Sequence, residues 1–304
     1  MAEEETRVVR SIARAWDRFW FGPTDPLPVA LCRISLGVLM FTDFLAATPS
    51  WDRFYAPDGM LSLNDPAVTP VVQGWWEIFW WTDGFIPVGW YWWGALVATV
   101  GFTVGWWTRF WTIALFVLEA SLVHRSPVAT NGDDLVFRML LFYGCFATMN
   151  GALALRPCTR TRERWPIRLM QLNIALIYLI SSAYKFGSDT AWRDGSALYY
   201  AMVNHTWSRW PWPSLFYPAW TSGLATFGSL LLETAFPLLV WFEPFRLPLL
   251  LALMLMHVVI AIVLQNVTFF SLSMVCGLCL FLTTDDLHRL RRWWTGRVTA
   301  PDAA

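Results

Sequence analysis

The sequence predicts an all-α fold, a polytopic bundle of about eight transmembrane helices, and three observations lead there. Apolar residues make up 56% of the 304-residue chain and charged residues only 14%, where soluble proteins carry roughly 25% charged residues. The apolar residues gather into runs that approach the roughly 20 residues a helix needs to cross a bilayer. Arginine then divides unevenly between the segments that join those runs.

The opening MAEEETRVVR is acidic before it is basic and precedes no short apolar run with a small-residue cleavage site, so no cleavable signal is expected. From Arg7 to Phe21 the spacing predicts an amphipathic helix. Val9, Ile12, Trp16 and Trp20 share one face, while Arg7, Arg10, Arg14 and Arg18 populate another. Such a helix lies on an anionic membrane surface with its aromatic side down.

Eight spans follow, at 27–47, 87–106, 109–124, 134–155, 167–186, 222–243, 248–266 and 268–284. With both termini in the cytoplasm, fifteen arginines fall inside, among them Arg109, Arg156, Arg164, Arg168, Arg246, Arg289 and Arg291. Only Arg53, Arg125, Arg193 and Arg209 fall outside, the asymmetry that the positive-inside rule requires. Three parts result: an interfacial helix over 1–26, a transmembrane domain over 27–284 and a basic cytoplasmic tail over 285–304.

Two long outer loops, near 48–86 and 187–221, are rich in aromatics. The first holds Trp51, Phe54, Tyr55, Trp75, Trp76, Phe79, Trp80 and Trp81; the second holds Trp192, Tyr199, Tyr200, Trp207, Trp210, Trp212, Phe216, Tyr217 and Trp220. Indole and phenol rings favour the headgroup layer. Loops of this length also suit a lid over an outer-leaflet pocket.

Several function classes drop out. A net charge of zero gives no footprint for nucleic acid. Neither a Walker motif nor a dinucleotide fingerprint is present. Cys276 and Cys279 have a metal-like spacing but sit inside an apolar run without a second pair, so they read as packing rather than a zinc site.

Charged groups inside a bilayer are expensive and therefore informative. They are Arg33, Asp43, Glu119, His124, Arg138, Lys185, Glu233 and His257. Asp134 and Arg138, four residues apart, read as a helical ion pair. Lys185 is the only lysine among 22 basic residues. Arginine cannot give up its proton in a protein, whereas a desolvated lysine can act as a neutral base. Gln171, Tyr178 and Lys185 recur every seven residues with Ser181 and Ser182 between them, which places one polar stripe on a helix. Glu233 and His257 lie on the sixth and seventh spans, and either a Glu–His or a Glu–Lys pairing would satisfy both charges. The polar groups thus converge on the outer half, and Gln265, Asn266 and the Asn131–Asp134 segment also lie toward that side.

The string QLNIALIYLISSAYKFGSDTAWRDGSALYYAM, from Gln171 to Met202, resembles the HTTM family, the membrane domain of vitamin K-dependent gamma-glutamyl carboxylase and its bacterial relatives. Tyr178, Lys185, Trp192, Gly195, Ala197, Leu198 and Tyr200 carry the likeness. The segment from His124 to Phe142, an early Arg33, Glu233 followed by Phe236-Pro237, and His257 are also similar. The resemblance spans roughly residues 25–285. It implies that Lys185 deprotonates a reduced naphthoquinone of the vitamin K or menaquinone type at the outer leaflet. Glu233, His257 and His124 would be further catalytic groups, with Tyr178, Trp192, Tyr200, Asp133 and Asp134 binding substrate. Where the carboxylase has a histidine after paired asparagines, this chain reads Asn131-Gly132-Asp133-Asp134.

The leading expectation is a quinol-linked membrane enzyme acting on a lipid or an exported peptide, in the inner membrane if the source is bacterial. A non-catalytic accessory protein for peptide maturation or export is the alternative. A proton or solute pathway through Glu233, His257 and Lys185 is a third reading, without the inverted repeat that usually marks such folds.

Overall fold

A computed structural model describes residues 2–61, 78–82, 85–159, 164–188, 190–210 and 219–295. Trp75, Trp76, Trp212, Phe216 and Tyr217 of the aromatic loops, and Arg160, Arg162 and Arg297, lie outside the described residues, as does the Trp80 side chain. Within them the architecture is helical, and an isolated antiparallel bridge joins Ser208 and Leu264.

Helix α1 (Ala2–Phe21) is the expected amphipathic element, and Val9, Ile12 and Trp16 are exposed on it. The chain then turns into α2 (Pro26–Ala47). Asp25 starts that helix by accepting the Leu27 N–H at 3.1 Å, and Pro26 at the first position needs no partner for a missing N–H. The second Asp25 oxygen takes the Thr284 N–H at 2.7 Å, so one carboxylate fixes two distant chain turns.

After a short α3 (Trp51–Tyr55) and α4 (Ile78–Thr82) come α5 (Val88–Val104), α6 (Thr108–Arg125) and α7 (Gly132–Gly144). Helix α8 (Trp165–Ser188) leads through the short α9 (Thr190–Asp194) and α10 (Ala197–Val203) into α11 (Ala219–Leu239). Next are α12 (Glu243–Val263), α13 (Thr268–Leu278) with a 3-10 turn to Phe281, and α14 (Thr284–Thr295). Helix α2 packs between α5 and α13, α8 packs against α7 and α11, and α12 against α11 and α13. Leu36, Met40, Phe102, Leu115, Phe137, Leu140, Phe236 and Leu253 fill the shared core.

Among the described residues, four segments are long and apolar enough to cross a membrane: Pro26–Tyr55, Trp165–Gly187, Ala219–Leu239 and Glu243–Val263. A fifth arises if Thr268–Phe281 and Thr284–Thr295, bent by 107°, count together. Helix α5 is a shorter apolar helix. The expected fourth span, 134–155, is not one helix. Helix α7 has 13 residues, roughly 20 Å at 1.5 Å per residue, against a hydrocarbon core of about 30 Å. Beyond Gly144 the backbone finds other partners, as Arg33 explains.

Arg33 is fully buried on α2 and donates to the carbonyls of Met149 at 2.9 Å, Ala152 at 3.4 Å and Leu153. One guanidinium therefore satisfies three loop carbonyls that a continuing helix would have paired internally. Gly105 lies in the left-handed region (φ +75°), and a Cβ there would sit 2.5 Å from the Ala154 Cβ. The close approach of the loop to α5 therefore needs glycine.

Candidate functional site

On α8, Tyr178, Ser181, Ser182 and Lys185 share a face, as their spacing requires. Helix α11 brings Glu233 to it. Both Glu233 oxygens accept from Lys185 Nζ, each at 2.6 Å, and Oε2 also accepts from Ser181 Oγ at 3.3 Å. The lysine side chain is 19% exposed and the glutamate 9%. Pro237 lies four residues beyond Glu233 on α11 and has no N–H to offer the Glu233 carbonyl. The helix backbone is thus under-bonded at the residue that carries the carboxylate.

Trp192 of α9 completes the lysine environment, with Nζ 4.4 Å from the ring centroid, a cation–π contact. Local chemistry fixes α9 and α10. Asp194 accepts from the Ser196 N–H at 2.9 Å and its hydroxyl at 2.5 Å, which holds the Asp194 carboxyl below its ordinary pKa. Gly195 takes a positive φ of 84° under the Phe227 ring. Ser222 donates to the Gly195 carbonyl at 3.1 Å and accepts the Tyr199 N–H at 3.1 Å, while Thr226 accepts the Leu198 N–H at 3.2 Å. Two α11 hydroxyls, four residues apart, therefore cap the start of α10 and hold the turn that presents Trp192.

His257 of α12 belongs to a neighbouring pair. Its Nε2 lies 2.7 Å from the Tyr178 hydroxyl, and the Tyr178 ring packs on Phe236 at 4.8 Å. His257 Nδ1 is buried without a hydrogen-bond partner among the described residues. Tyr178 and Lys185 lie two turns apart on α8, about 10 Å along the axis. The Glu–Lys pairing is therefore the one that forms, and histidine pairs with tyrosine instead.

Gln171, the third member of the sequence stripe, has a separate task. It donates to the Leu280 carbonyl at 2.7 Å and accepts from Arg168 at 2.8 Å, holding the 3-10 turn after α13. Gln265 and Asn266 also act on backbone, donating to the carbonyls of His205 at 2.6 Å and Thr206 at 2.8 Å, and so anchor the second aromatic-rich loop to the α12–α13 turn.

The other sequence candidates stand elsewhere. Tyr200 is exposed on α10 and its ring packs on Tyr199 at 5.8 Å. His124 is exposed near the end of α6. Asp134 closes a capping box, accepting the Asn131 N–H at 2.5 Å. Arg138 donates to the Asp134 backbone carbonyl at 3.3 Å, in place of the expected ion pair with its carboxylate. Asp133 is buried at the α7 start. Asp43, Glu119 and Asp134 border a cavity of about 30 Å³ between α2, α6 and α7. Among the described residues, no group of three His, Cys, Asp or Glu side chains is arranged to hold a metal.

Beside Lys185 an open groove of about 440 Å³ runs along α8, lined by Asn173, Leu176, Ile177, Ile180, Ser181, Tyr184 and Lys185. Its wall is almost wholly apolar, and Lys185 is its charged group. The arrangement offers one amine, one carboxylate and one hydroxyl at the end of an open apolar face of α8, which suits proton exchange with a hydrophobic ligand. Compared with known proteins, the chain matches no family model, no curated protein and no solved structure.

Proposed function

We propose that the chain is an HTTM-type membrane protein of eight spans with both termini cytoplasmic, acting as a lysine-base, quinol-linked enzyme at the outer leaflet on a lipid or an exported peptide. The carrying observation is the Lys185–Glu233 pair at the head of an apolar groove. The Lys185 amine is the candidate base, since a neutral lysine accepts a proton from a ligand hydroxyl and leaves the ligand oxyanion. The ammonium then formed has the ligand oxyanion as its counter-charge, with the Glu233 carboxyl and the Trp192 face beside it. Ser181 holds the carboxylate in place.

A reduced naphthoquinone fits this donor set. The open apolar face of α8 beside Lys185 and Ser181 supports this reading, since a two-ring ligand arriving from lipid would lie against it. Bound there, such a quinol supplies two electrons and an acidic hydroxyl.

One observation favours a second reading, a non-catalytic accessory protein for peptide maturation or export. The Asn131–Asp134 segment spends its side chains on capping α7. Epoxide formation from reduced menaquinone and oxygen by the purified chain in lipid nanodiscs separates the two. The enzyme reading expects product from the intact protein and none from correctly inserted Lys185→Arg. No product from the intact protein would overturn the quinol mechanism and favour the accessory role.

A further inference from the structure

An open cleft of about 930 Å³ lies at the opposite end of α8 from Lys185. Phe146, on its wall, packs on Trp165 at the first residue of α8 with ring centroids 5.7 Å apart. Lys185 is about 30 Å further along that helix.

Two elements form the walls: the first turn of α6 and the loop over 146–158. The loop is held from three directions. Arg33 clamps its carbonyls from below. The N–H groups of Leu155 and Arg156 bond the Val104 and Gly105 carbonyls at 2.9 and 3.3 Å, and Asn150 donates to the Arg156 carbonyl at 2.7 Å. Arg156 and Arg109 are thereby set on the two walls, and neither meets a carboxylate among the described residues. Helix α6 opens with Trp107 in the left-handed region (φ 47°), a residue that gives no side-chain cap. Among the described residues no N-cap side chain takes up its first N–H groups. Thr108, on the same wall, is only 3% exposed, and its Oγ1 has no hydrogen-bond partner among the described residues.

Uncapped helix N–H groups, two guanidiniums and a hydroxyl without a partner are the groups that bind a phosphate. The rest of the lining is mixed, with Thr112, Thr148 and Asn150 polar among apolar residues. Phe110, Ile113 and Phe146 are exposed, and the first two continue the site along the outer face of α6. A free phosphate has no use for that surface, whereas an acyl chain does. We propose that this cleft binds the phosphate headgroup of an anionic membrane phospholipid, with an acyl chain lying along Phe110 and Ile113. The inference depends on the chain being in a membrane and is independent of any chemistry at Lys185.

Native mass spectrometry of the full chain in detergent tests it, with phosphatidylglycerol and phosphatidylcholine of identical acyl chains as probes. Phosphatidylglycerol is expected to be retained and phosphatidylcholine lost. At about 1 kcal/mol for each basic residue at a lipid surface, the double variant Arg109→Gln/Arg156→Gln should weaken retention about 30-fold. Arg109→Lys/Arg156→Lys should keep most of it, and Arg291→Gln, remote from the cleft, all of it. Equal retention of the two lipids by the wild-type protein would overturn the proposal without reference to any variant. So would a correctly folded glutamine variant that retains phosphatidylglycerol normally. Glycerol phosphate binding as tightly as the lipid would assign the site to a soluble phosphate instead.

Discussion

Removing one partner of the Lys185–Glu233 pair should cost far more than removing both. In Glu233→Met the ammonium loses two contacts of 2.6 Å and remains in a site where it is 19% exposed. Stranding one charge of a buried pair costs about 3–5 kcal/mol. The partial exposure of the ammonium lets water recover part of that. The expected loss is therefore near the lower end, about 3 kcal/mol, with a similar loss for Lys185→Met, which strands the carboxylate. Lys185→Met/Glu233→Met puts two neutral chains of similar volume in the gap and should cost about 1 kcal/mol, leaving a coupling near 5 kcal/mol. Reversible unfolding in mixed micelles, followed by tryptophan fluorescence, measures the double-mutant cycle. Additive losses, with the double variant near 6 kcal/mol, would refute the reasoning, because the two side chains would then not be acting as one unit.

Other consequences follow from single contacts. Asp286, buried at the start of α14, is pushed up by burial, but donors from Arg246 at 3.0 Å and Thr283 at 2.8 Å outweigh this and hold its pKa below 3.8. A depressed carboxylate contributes stability that is fully present above the unfolded pKa and lost as pH falls through the folded one. Asp286→Asn should cost about 2 kcal/mol at pH 7 and flatten the acid limb of the unfolding profile below pH 4, as thermal melts between pH 2 and 7 would record. Gly105→Ala should destabilise by at least about 1 kcal/mol, since it strains a φ of 75° and drives a Cβ into Ala154; an unchanged melting temperature would contradict the clamp. His257→Phe should cost about 2 kcal/mol by leaving the buried Tyr178 hydroxyl unpaired, and adding Tyr178→Phe should recover part of it in the same assay. For the proposed topology, with the native cysteines replaced, Asp194→Cys should react with an impermeant maleimide from outside and Arg291→Cys only after the membrane is opened.

The four segments long enough to cross a membrane were legible in sequence, because an uninterrupted apolar run carries its own length signal. Lys185 and Glu233 could be found too, as groups too expensive to leave unpaired in a bilayer. Their partnership was one of two pairings that the sequence left open, since the choice between lysine and histidine depends on how α8, α11 and α12 face each other. The apolar run over 145–155 read as helix because nothing local contradicts it. What ends α7 there is tertiary: a guanidinium more than a hundred residues earlier in the chain. Gln171 illustrates the converse, a residue in register with the stripe whose hydrogen bond goes to Leu280 and not to the site. Sequence reading also passed over Ser222 and Thr226, although two hydroxyls four residues apart on an apolar helix were a visible sign of a neighbouring backbone end to be capped.

The chain contains one lysine, so an amine-reactive probe reads the proposed site almost alone. The most direct test is the rate of Lys185 modification in nanodiscs, followed by peptide mass spectrometry, with and without saturating reduced menaquinone. Quinol seated in the α8 groove should slow modification at least about tenfold, the ratio expected of a site about nine-tenths occupied. An identical rate with and without quinol would contradict the account, because the amine would then be open to the reagent while the ligand it is meant to serve lies elsewhere.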